Sequence, residues 1–129
     1  MNIYGYGIDL IDINRLGRKL EKSPNLLKRI YNKNEIKQCK KKITKYNCFA
    51  KKFAAKEAFS KALGSGFRMN LNFKDIEVVN DKMGKPYYVK NKKITKIIQK
   101  NFKIKNFKCF LSISDEKKYS TAFAIIQTS

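Results

Sequence analysis

The chain has 129 residues, of which 43% are hydrophobic and 12% aromatic. This length and composition are typical of one folded domain, here residues 1–129, and exclude a disordered chain. Histidine is absent, which excludes Ser-His-Asp and Cys-His catalysis and leaves carboxylates, lysines, hydroxyls and metal ions for any chemistry.

The formal net charge is +20, from 30 basic and 10 acidic residues. An excess of this size predicts a polyanionic partner, such as an acidic protein, a nucleic acid or a membrane surface. The basic residues are mostly lysine and occur with many Asn and Ile, a pattern typical of A+T-biased coding. We therefore attribute part of the charge to composition, and composition alone leaves two classes open, an enzyme and a small basic RNA- or ribosome-binding protein.

Targeting signals and cysteine motifs are missing from the sequence. No long apolar segment predicts a membrane span or a secretion signal, so we expect a cytoplasmic protein without a membrane partner. Cys39, Cys48 and Cys109 are scattered and lack the Cys-x-x-Cys spacing of zinc or redox sites. We expect all three to be ordinary buried or half-buried thiols.

The N-terminal segment, residues 2–10, is predicted to be a strand that another backbone crosses closely. Apolar residues alternate there with Gly5 and Gly7, and glycine within a strand often marks such a close approach. Asp12 suits the N-cap of the following helix. Asp9, at the end of the strand, is then left without an obvious structural role.

Residues 15–45 show a basic helical pattern that is broken at Ser23-Pro24. Asn34 with Glu35 indicates the start of a further helix, which Glu35 is expected to cap. The apolar positions expected to face inward are Leu16, Leu20, Leu26, Leu27, Ile30 and Ile36. The basic positions expected to face outward, as a solvated surface or as a docking patch, are Arg15, Arg18, Lys19, Lys22, Lys28 and Arg29.

The clearest helix of the sequence is predicted to end near Leu63, because Gly64 and Gly66 supply the positive φ that ends helices. Four alanines recur every fourth residue and form a row of small side chains for close packing, at Ala50, Ala54, Ala58 and Ala62. Glu57 and Lys61 stand one turn apart on another face, as a solvated ion pair or as part of a site.

The rest of the chain is predicted to form a hairpin, a helix and two strands. Residues 76–80 and 85–89 pair around a four-residue loop. A basic amphipathic helix is predicted at 91–101, and alternating strands at 107–114 and 121–127. Gly84-Lys85 lies outside any P-loop frame, so it does not predict a P-loop.

Four motifs resemble those of the holo-[acyl-carrier-protein] synthases, the small trimeric class of 4′-phosphopantetheinyl transferases. They are Gly7-Ile8-Asp9 with Arg15, Phe-Ala-Ala-Lys-Glu-Ala-Phe-Ser-Lys-Ala-Leu-Gly at 53–64, Gly84-Lys85-Pro86, and Ser112-Ile113-Ser114-Asp115 followed by Ala122-Phe123-Ala124. The resemblance implies an α+β fold with an antiparallel sheet packed against a long central helix. It also implies a homotrimer with coenzyme sites at the subunit boundaries, and no specific nucleic acid partner.

The family implies transfer of 4′-phosphopantetheine from coenzyme A to a serine of acyl carrier protein, for fatty acid biosynthesis, with release of 3′,5′-ADP. Asp9 and Glu57 are the implied ligands of Mg²⁺, a cation that suits one or two carboxylates plus substrate phosphates. Lys61 is implied to stabilise phosphate charge, and the base is either Glu57 or a metal-associated water. Residues implied to contact coenzyme A are Lys52, Lys61, Gly64, Ser112 and Ser114, and those implied to dock an acidic acyl carrier protein are Arg15, Arg18 and Arg29.

Asp115 departs from the family pattern, which has a histidine at that position. A carboxylate there repels phosphate unless a cation lies between them. We expect Asp115 to point away or to pair with a nearby lysine, and Lys117 and Lys118 flank its turn. Lys51 and Lys52 of the central helix are expected to take over the phosphate contacts of the missing histidine. The RNA-binding alternative lacks any RNP, KH or Gly-x-x-Gly pattern, and metal-dependent binding of coenzyme A would distinguish the enzyme from it.

Overall fold

A computed structural model of the chain describes residues 2–64 and 71–129. Gly66, one of the two glycines predicted to end the central helix, lies outside the described residues. The elements follow in the order β1 (Asn2–Asp12), α1 (Ile13–Lys22), α2 (Pro24–Ile30), α3 (Lys33–Lys40), α4 (Lys45–Leu63), β2 (Val78–Asn80), β3 (Pro86–Tyr88), α5 (Lys92–Asn101), β4 (Phe107–Asp115) and β5 (Tyr119–Thr128). Among the described helices, none combines the length and apolar character needed to cross a membrane.

An antiparallel three-stranded sheet and the helix α4 form the centre of the fold. The strand order is β1-β5-β4, and the register pairs Asp9 with Ala122 and Ile8 with Phe123. One face of this sheet packs on α4, and β2 with β3 forms the predicted hairpin beside it. The α+β architecture implied by the sequence, a sheet against a long central helix, is therefore confirmed.

The strand β1 and the helix α4 touch through their backbones. The four alanines spaced along α4 are all buried. A Cβ atom added to Gly7 would lie 2.1 Å from the carbonyl oxygen of Ala58, and one added to Gly5 would lie 2.0 Å from that of Ala62. Real Cβ atoms do not approach backbone this closely, so both glycines are required by the crossing, as the sequence predicted.

We expect Gly7→Ala to lower the free energy of unfolding by about 3 kcal/mol, because backbone rather than a flexible side chain must move to admit the methyl group. Gly84→Ala is the matched control, because a Cβ atom added there would meet nothing within 4 Å. Its only cost is the backbone strain of an alanine at a φ of +85°, in the left-handed region. That strain is about 1 kcal/mol. Denaturant unfolding of both variants checks the difference, and equal losses would contradict the close crossing.

Capping side chains mark the starts of α1 and α3, whereas Ser23 before α2 makes no side-chain cap hydrogen bond. Asp12 accepts a hydrogen bond from the Arg15 N–H at 3.0 Å, which confirms it as the cap of α1. For α3 the N-cap is Asn32, two residues before the predicted Asn34, and Glu35 completes the capping box by accepting the Asn32 N–H at 3.0 Å. Of the six apolar positions predicted to face inward, Leu16, Leu20 and Ile30 are buried and Leu26, Leu27 and Ile36 are half-buried.

A buried ion pair joins α3 and α4, and sequence reasoning did not find its lysine. The Lys56 ammonium lies 2.8 Å from the Glu35 carboxylate, and both side chains are fully buried. Lys56 also donates to the carbonyl oxygens of Phe73 and Ile76, at 2.8 and 2.7 Å. The second Glu35 oxygen accepts the Val78 N–H at 2.9 Å. The pair therefore fixes the segment 73–78 against both helices.

Two of the three cysteines are bonded, so the expectation of three free thiols was wrong. Cys39, in the last turn of α3, and Cys48, in the first turn of α4, form a disulfide with a Cα–Cα distance of 5.5 Å. The capping of α3 and the packing of α3 on α4 bring these turns together, which the scattered sequence positions did not indicate. Cys109 is free and half-buried, and burial raises the pKa of its thiol to about 12.

Candidate active site

The crossing of β1 over α4 brings Asp9 to Lys61. The Lys61 ammonium lies 3.1 Å from Oδ1 of Asp9 and donates to the Ile8 carbonyl oxygen at 3.0 Å. Glu57 lies one turn before Lys61 on the same helix, half-buried. Three residues that are implied to act together, from segments about fifty positions apart, therefore meet at one place.

Asp9, Glu57 and Lys61 line a cleft of about 670 Å³ between β1, the last part of α4 and the first two helices. Arg15 and Arg29 lie on its basic side. The apolar lining comes chiefly from Leu10, Ile11, Leu16, Leu26, Ile30, Phe53 and Phe73. The Phe53 and Phe73 rings stack with centroids 5.5 Å apart, which fixes one wall. The cleft thus joins a charged end to an apolar wall.

Burial raises the pKa values of the Asp9 and Glu57 carboxyl groups. For Asp9 burial is the largest cause, and the Lys61 ammonium and the Leu10 N–H oppose it. For Glu57, burial comes first, then the repulsion of the Asp9 charge, while Lys61 opposes both. Removing two like charges from water beside each other disfavours ionisation. The single ammonium of Lys61 therefore leaves this pair incompletely compensated.

A hard divalent cation fits this donor set. Carboxylate oxygens are the ligands that Mg²⁺ prefers, and Mg²⁺ commonly takes one or two of them and completes its shell with water and phosphate oxygens. Within residues 2–64 and 71–129, no third Asp, Glu or Cys joins the two carboxylates in a metal-binding group. Asp9 and Glu57 are thus the residues that would hold the ion.

The other residues implied to contact coenzyme A lie apart from this cleft within one chain. Ser112 and Ser114 are exposed on β4, two strands away from β1, where Ser112 pairs with Phe123 and Phe123 with Ile8. Gly64 ends α4 with φ of +80°, three residues after Lys61. Their roles stay predictions, and for the two serines a single chain supplies no contact with Asp9 or Glu57.

Lys52 faces inward rather than into solvent. Its ammonium donates to Oε1 of Gln38 at 3.0 Å and to the Val78 carbonyl oxygen at 2.5 Å. Burial, partly opposed by the Glu35 charge, lowers its pKa to about 8. In this arrangement Lys52 supports the N-terminal half of α4 and its direct contact with phosphate stays a prediction.

A second, smaller cavity of about 140 Å³ lies beside the N-terminal half of α4. Its lining includes Lys42, Asn47, Lys51, Lys52, Gly84, Pro86 and Asp115. Asn47 donates to Asp115 at 2.8 Å, and the Lys51 ammonium lies 3.7 Å from the other carboxylate oxygen. The expectation that Asp115 pairs with a lysine is confirmed, and the partner is Lys51 of α4, which was expected to contact phosphate instead.

The three arginines predicted to dock an acidic partner are all exposed, but they do not share one site. Arg15 and Arg29 line the large cleft, whereas Arg18 lies outside its lining. Sequence reasoning missed the Phe53–Phe73 wall. Phe53 stands four residues before Glu57, on the same helix face, and this spacing could have indicated it. No sequence signal pointed to Phe73.

Sequence comparison finds relatives over almost the whole chain. The family model described as "4′-phosphopantetheinyl transferase superfamily" matches residues 5–124. A holo-[acyl-carrier-protein] synthase of Pelagibacter ubique is 54% identical over 127 residues, 98% of this chain and 98% of that protein. A holo-[acyl-carrier-protein] synthase of Halothermothrix orenii is 42% identical over 124 residues, 95% of this chain and 96% of that protein.

Solved structures give the same result for the fold. A holo-(acyl-carrier-protein) synthase from Bacillus anthracis in complex with CoA (3′,5′-ADP) superposes with a TM-score of 0.80 at 34% identity, covering 98% of both chains. A holo-[acyl-carrier-protein] synthase from Neisseria meningitidis gives a TM-score of 0.87 at 32% identity, covering 98% of this chain and 100% of that chain.

The chain therefore has the phosphopantetheinyl transferase fold, with two acidic residues and a lysine meeting where the first strand crosses the central helix. It belongs to the 4′-phosphopantetheinyl transferase superfamily and, within it, to the holo-[acyl-carrier-protein] synthases. The enzyme alternative is thereby confirmed over the RNA-binding protein.

Proposed function

We propose that the chain transfers 4′-phosphopantetheine from coenzyme A to a serine of apo acyl carrier protein in a Mg²⁺-dependent reaction, for fatty acid biosynthesis in the cytoplasm. The observation that carries the proposal is the meeting of Asp9, Glu57 and Lys61 in one cleft. The relative from Bacillus anthracis, a complex with CoA (3′,5′-ADP), supports the choice of coenzyme.

In this reaction the serine oxygen forms a bond to the β-phosphorus of coenzyme A, and the bond from that phosphorus to the bridging oxygen breaks, which releases 3′,5′-ADP. Mg²⁺ held by Asp9 and Glu57 would neutralise phosphate charge in the transition state. Lys61, held beside Asp9, would donate hydrogen bonds to phosphate oxygens. The serine proton must leave, and its acceptor is either Glu57 or a water that the metal would hold.

The second cavity is proposed to bind the anionic end of the coenzyme, because lysines line it. Lys42 and Lys51 contribute its accessible cations, and Lys52 reinforces them from the buried side. Asp115 is held by Asn47 and Lys51, so part of its charge is already compensated before phosphate enters. This arrangement accounts for a carboxylate in place of the family histidine.

Docking of an acidic carrier protein is proposed at the cleft entrance, where Arg15 and Arg29 lie. We expect Arg15→Glu to raise the KM for the carrier by about tenfold and to leave the KM for coenzyme A within about twofold, because rim charges act on the encounter with a charged partner. Lys100→Glu, the same charge reversal on exposed α5, is the control. Equal rises in both KM values would contradict docking at Arg15.

An exposed apolar face supports assembly of several copies, and we propose the trimer of the family. Tyr6, Ile8 and Leu10 of β1 are 71%, 62% and 64% exposed, and Phe110 and Phe123 continue the face on β4 and β5. Apolar patches of this kind mark interfaces. The same face carries Ser112 and Ser114, so a neighbouring copy seated there would bring these serines to a subunit boundary.

We expect Ile8→Lys to convert the assembly to monomers, because a lysine in the middle of the apolar face must lose its hydration in the interface. Ile43→Lys is the matched control, since Ile43 is 103% exposed on a loop outside the sheet. Light scattering during gel filtration measures the mass of each variant. A wild-type monomer, or dissociation of both variants, would contradict the proposed interface.

Binding of coenzyme A tests the proposed function. Titration calorimetry with and without Mg²⁺ should show binding that is strengthened by the ion and lost in a Glu57→Gln variant. A polyanion binder without a metal site would instead show an affinity that falls as the salt concentration rises and that Mg²⁺ does not increase. That second result would contradict the proposal.

A further inference from the structure

The Cys39–Cys48 disulfide closes the loop that borders the second cavity. Between the two cysteines the chain supplies Lys42, Thr44 and Asn47 to the cavity lining, and Cys48 itself belongs to that lining. Cys39 is fully buried, and Cys48 is 9% exposed. Of the two sulfur atoms, the one in Cys48 therefore belongs to the cavity side of the bond.

A disulfide is unusual in a protein expected in the cytoplasm, where thiol systems keep most cysteines reduced. Disulfides in that compartment are commonly transient, with catalytic or redox-sensing roles. Cys109 offers no such chemistry, because burial raises its thiol pKa to about 12 and it lies in a different cavity. The bonded pair is thus the redox-active candidate among the three cysteines.

We propose that the Cys39–Cys48 bond is a reversible switch that sets the affinity of the second cavity for the phosphates of coenzyme A. The inference rests on the proposed function, in which that cavity receives the anionic end of the coenzyme. With the bond closed, the loop 41–44 and the first turn of α4 are held beside α3 with their polar groups in place. With the bond open, this loop is less ordered before the coenzyme binds. The entropy cost of ordering it then lowers the affinity for the coenzyme.

The switching step needs a dithiol reductant. One thiolate of the reductant attacks Sγ of Cys48, the S–S bond breaks, and Cys39 leaves as a thiolate that takes up a proton. The second thiol of the reductant then attacks the mixed disulfide and releases Cys48, while the reductant becomes a disulfide. Two electrons pass from the reductant to the cysteine pair, and the reverse sequence closes the bond.

The expected effect falls on coenzyme affinity rather than on the fold or on the chemical step. Lys52 still ties α4 to α3 through Gln38 when the disulfide opens. The large cleft is lined by none of the residues 39–48. Reduction should therefore raise the KM for coenzyme A and leave kcat nearly unchanged, a separation that general destabilisation would not produce.

The test compares the oxidised protein with the same protein reduced by dithiothreitol, by calorimetric titration with coenzyme A and Mg²⁺. We expect a Kd about tenfold higher in the reduced form, within the usual range of coupling between two sites. Cys39→Ser and Cys48→Ser should bind like the reduced protein in both states. Cys109→Ser, the matched control, should keep the full redox response.

Reciprocal linkage supplies a second readout. If reduction weakens coenzyme binding about tenfold, saturating coenzyme must make reduction about tenfold less favourable. Alkylation and intact-mass measurement at fixed dithiol-to-disulfide ratios give this number directly. An absence of the disulfide in the oxidised protein, or equal coenzyme affinity in two states whose bond status is verified, would overturn the switch alone. Failure of coenzyme to bind in both states would contradict the proposed function and the switch together.

Discussion

Replacing Glu57 by Gln is expected to lower kcat by about 100- to 1,000-fold, the usual loss when one group that stabilises transition-state charge is removed. Asp9→Asn should do the same. Both substitutions keep the size of the side chain and remove its charge. They should therefore abolish metal binding, whereas a residue that served only in packing would tolerate the change. Glu116→Gln, on the turn between β4 and β5, is the matched control, since Gln retains the acceptor that Glu116 offers to Lys118 and Tyr119.

Stability measurements separate this loss from unfolding. Because folding raises the pKa of Glu57, the folded chain binds its proton more tightly than the unfolded chain does. The stability of the wild type therefore falls as pH rises through the shifted pKa. Glu57→Gln should raise Tm at neutral pH, and this gain should vanish in acid, where both states are protonated. A full kcat at limiting Mg²⁺, or a lower Tm at neutral pH, would contradict the assignment.

Lys56→Met is expected to lower the free energy of unfolding by about 3–5 kcal/mol, because it leaves the Glu35 charge buried without its partner. The Phe73 and Ile76 carbonyl oxygens lose their donor as well. Lys51→Met breaks the exposed pair with Asp115 instead. This comparison variant should cost no more than about 1 kcal/mol.

A double variant tests whether burial of the lone charge causes the loss. In Lys56→Met/Glu35→Gln, the Gln carbonyl still accepts a backbone N–H, while the unpaired charge is gone. Denaturant unfolding should show the double variant to be more stable than the sum of the two single losses predicts. Additive losses would show that the two side chains do not act as a pair.

The close crossing of β1 and α4 could be predicted from the sequence, because each of the two segments carries a local pattern of small residues. The glycines at 5 and 7 and the alanine row each indicate a close approach, and the structure joins them. Some helix ends follow from local groups as well, such as Asp12 at the start of α1 and Gly64 at the end of α4. These features depend on residues that are close in sequence, so the sequence pattern predicts them.

Contacts between segments far apart in the chain could not be predicted from local sequence patterns. Asp9 and Lys61 were joined in advance only by resemblance to a family, since no spacing rule links a strand end to a helix far along the chain. Lys56 was missed because lysine is rarely buried without a partner, and its partner Glu35 was explained by capping alone. The Cys39–Cys48 bond and the Phe53–Phe73 wall depend on how α3 and the segment 73–78 pack on α4.

Transfer of phosphopantetheine to a carrier protein measures the proposed activity itself. The purified chain, coenzyme A and Mg²⁺ are incubated with an acidic apo acyl carrier protein, and intact masses are recorded. We expect one carrier serine to gain phosphopantetheine with an equal amount of 3′,5′-ADP released, and we expect EDTA or Glu57→Gln to stop both. An unmodified carrier, or transfer that proceeds equally without Mg²⁺, would contradict the proposal.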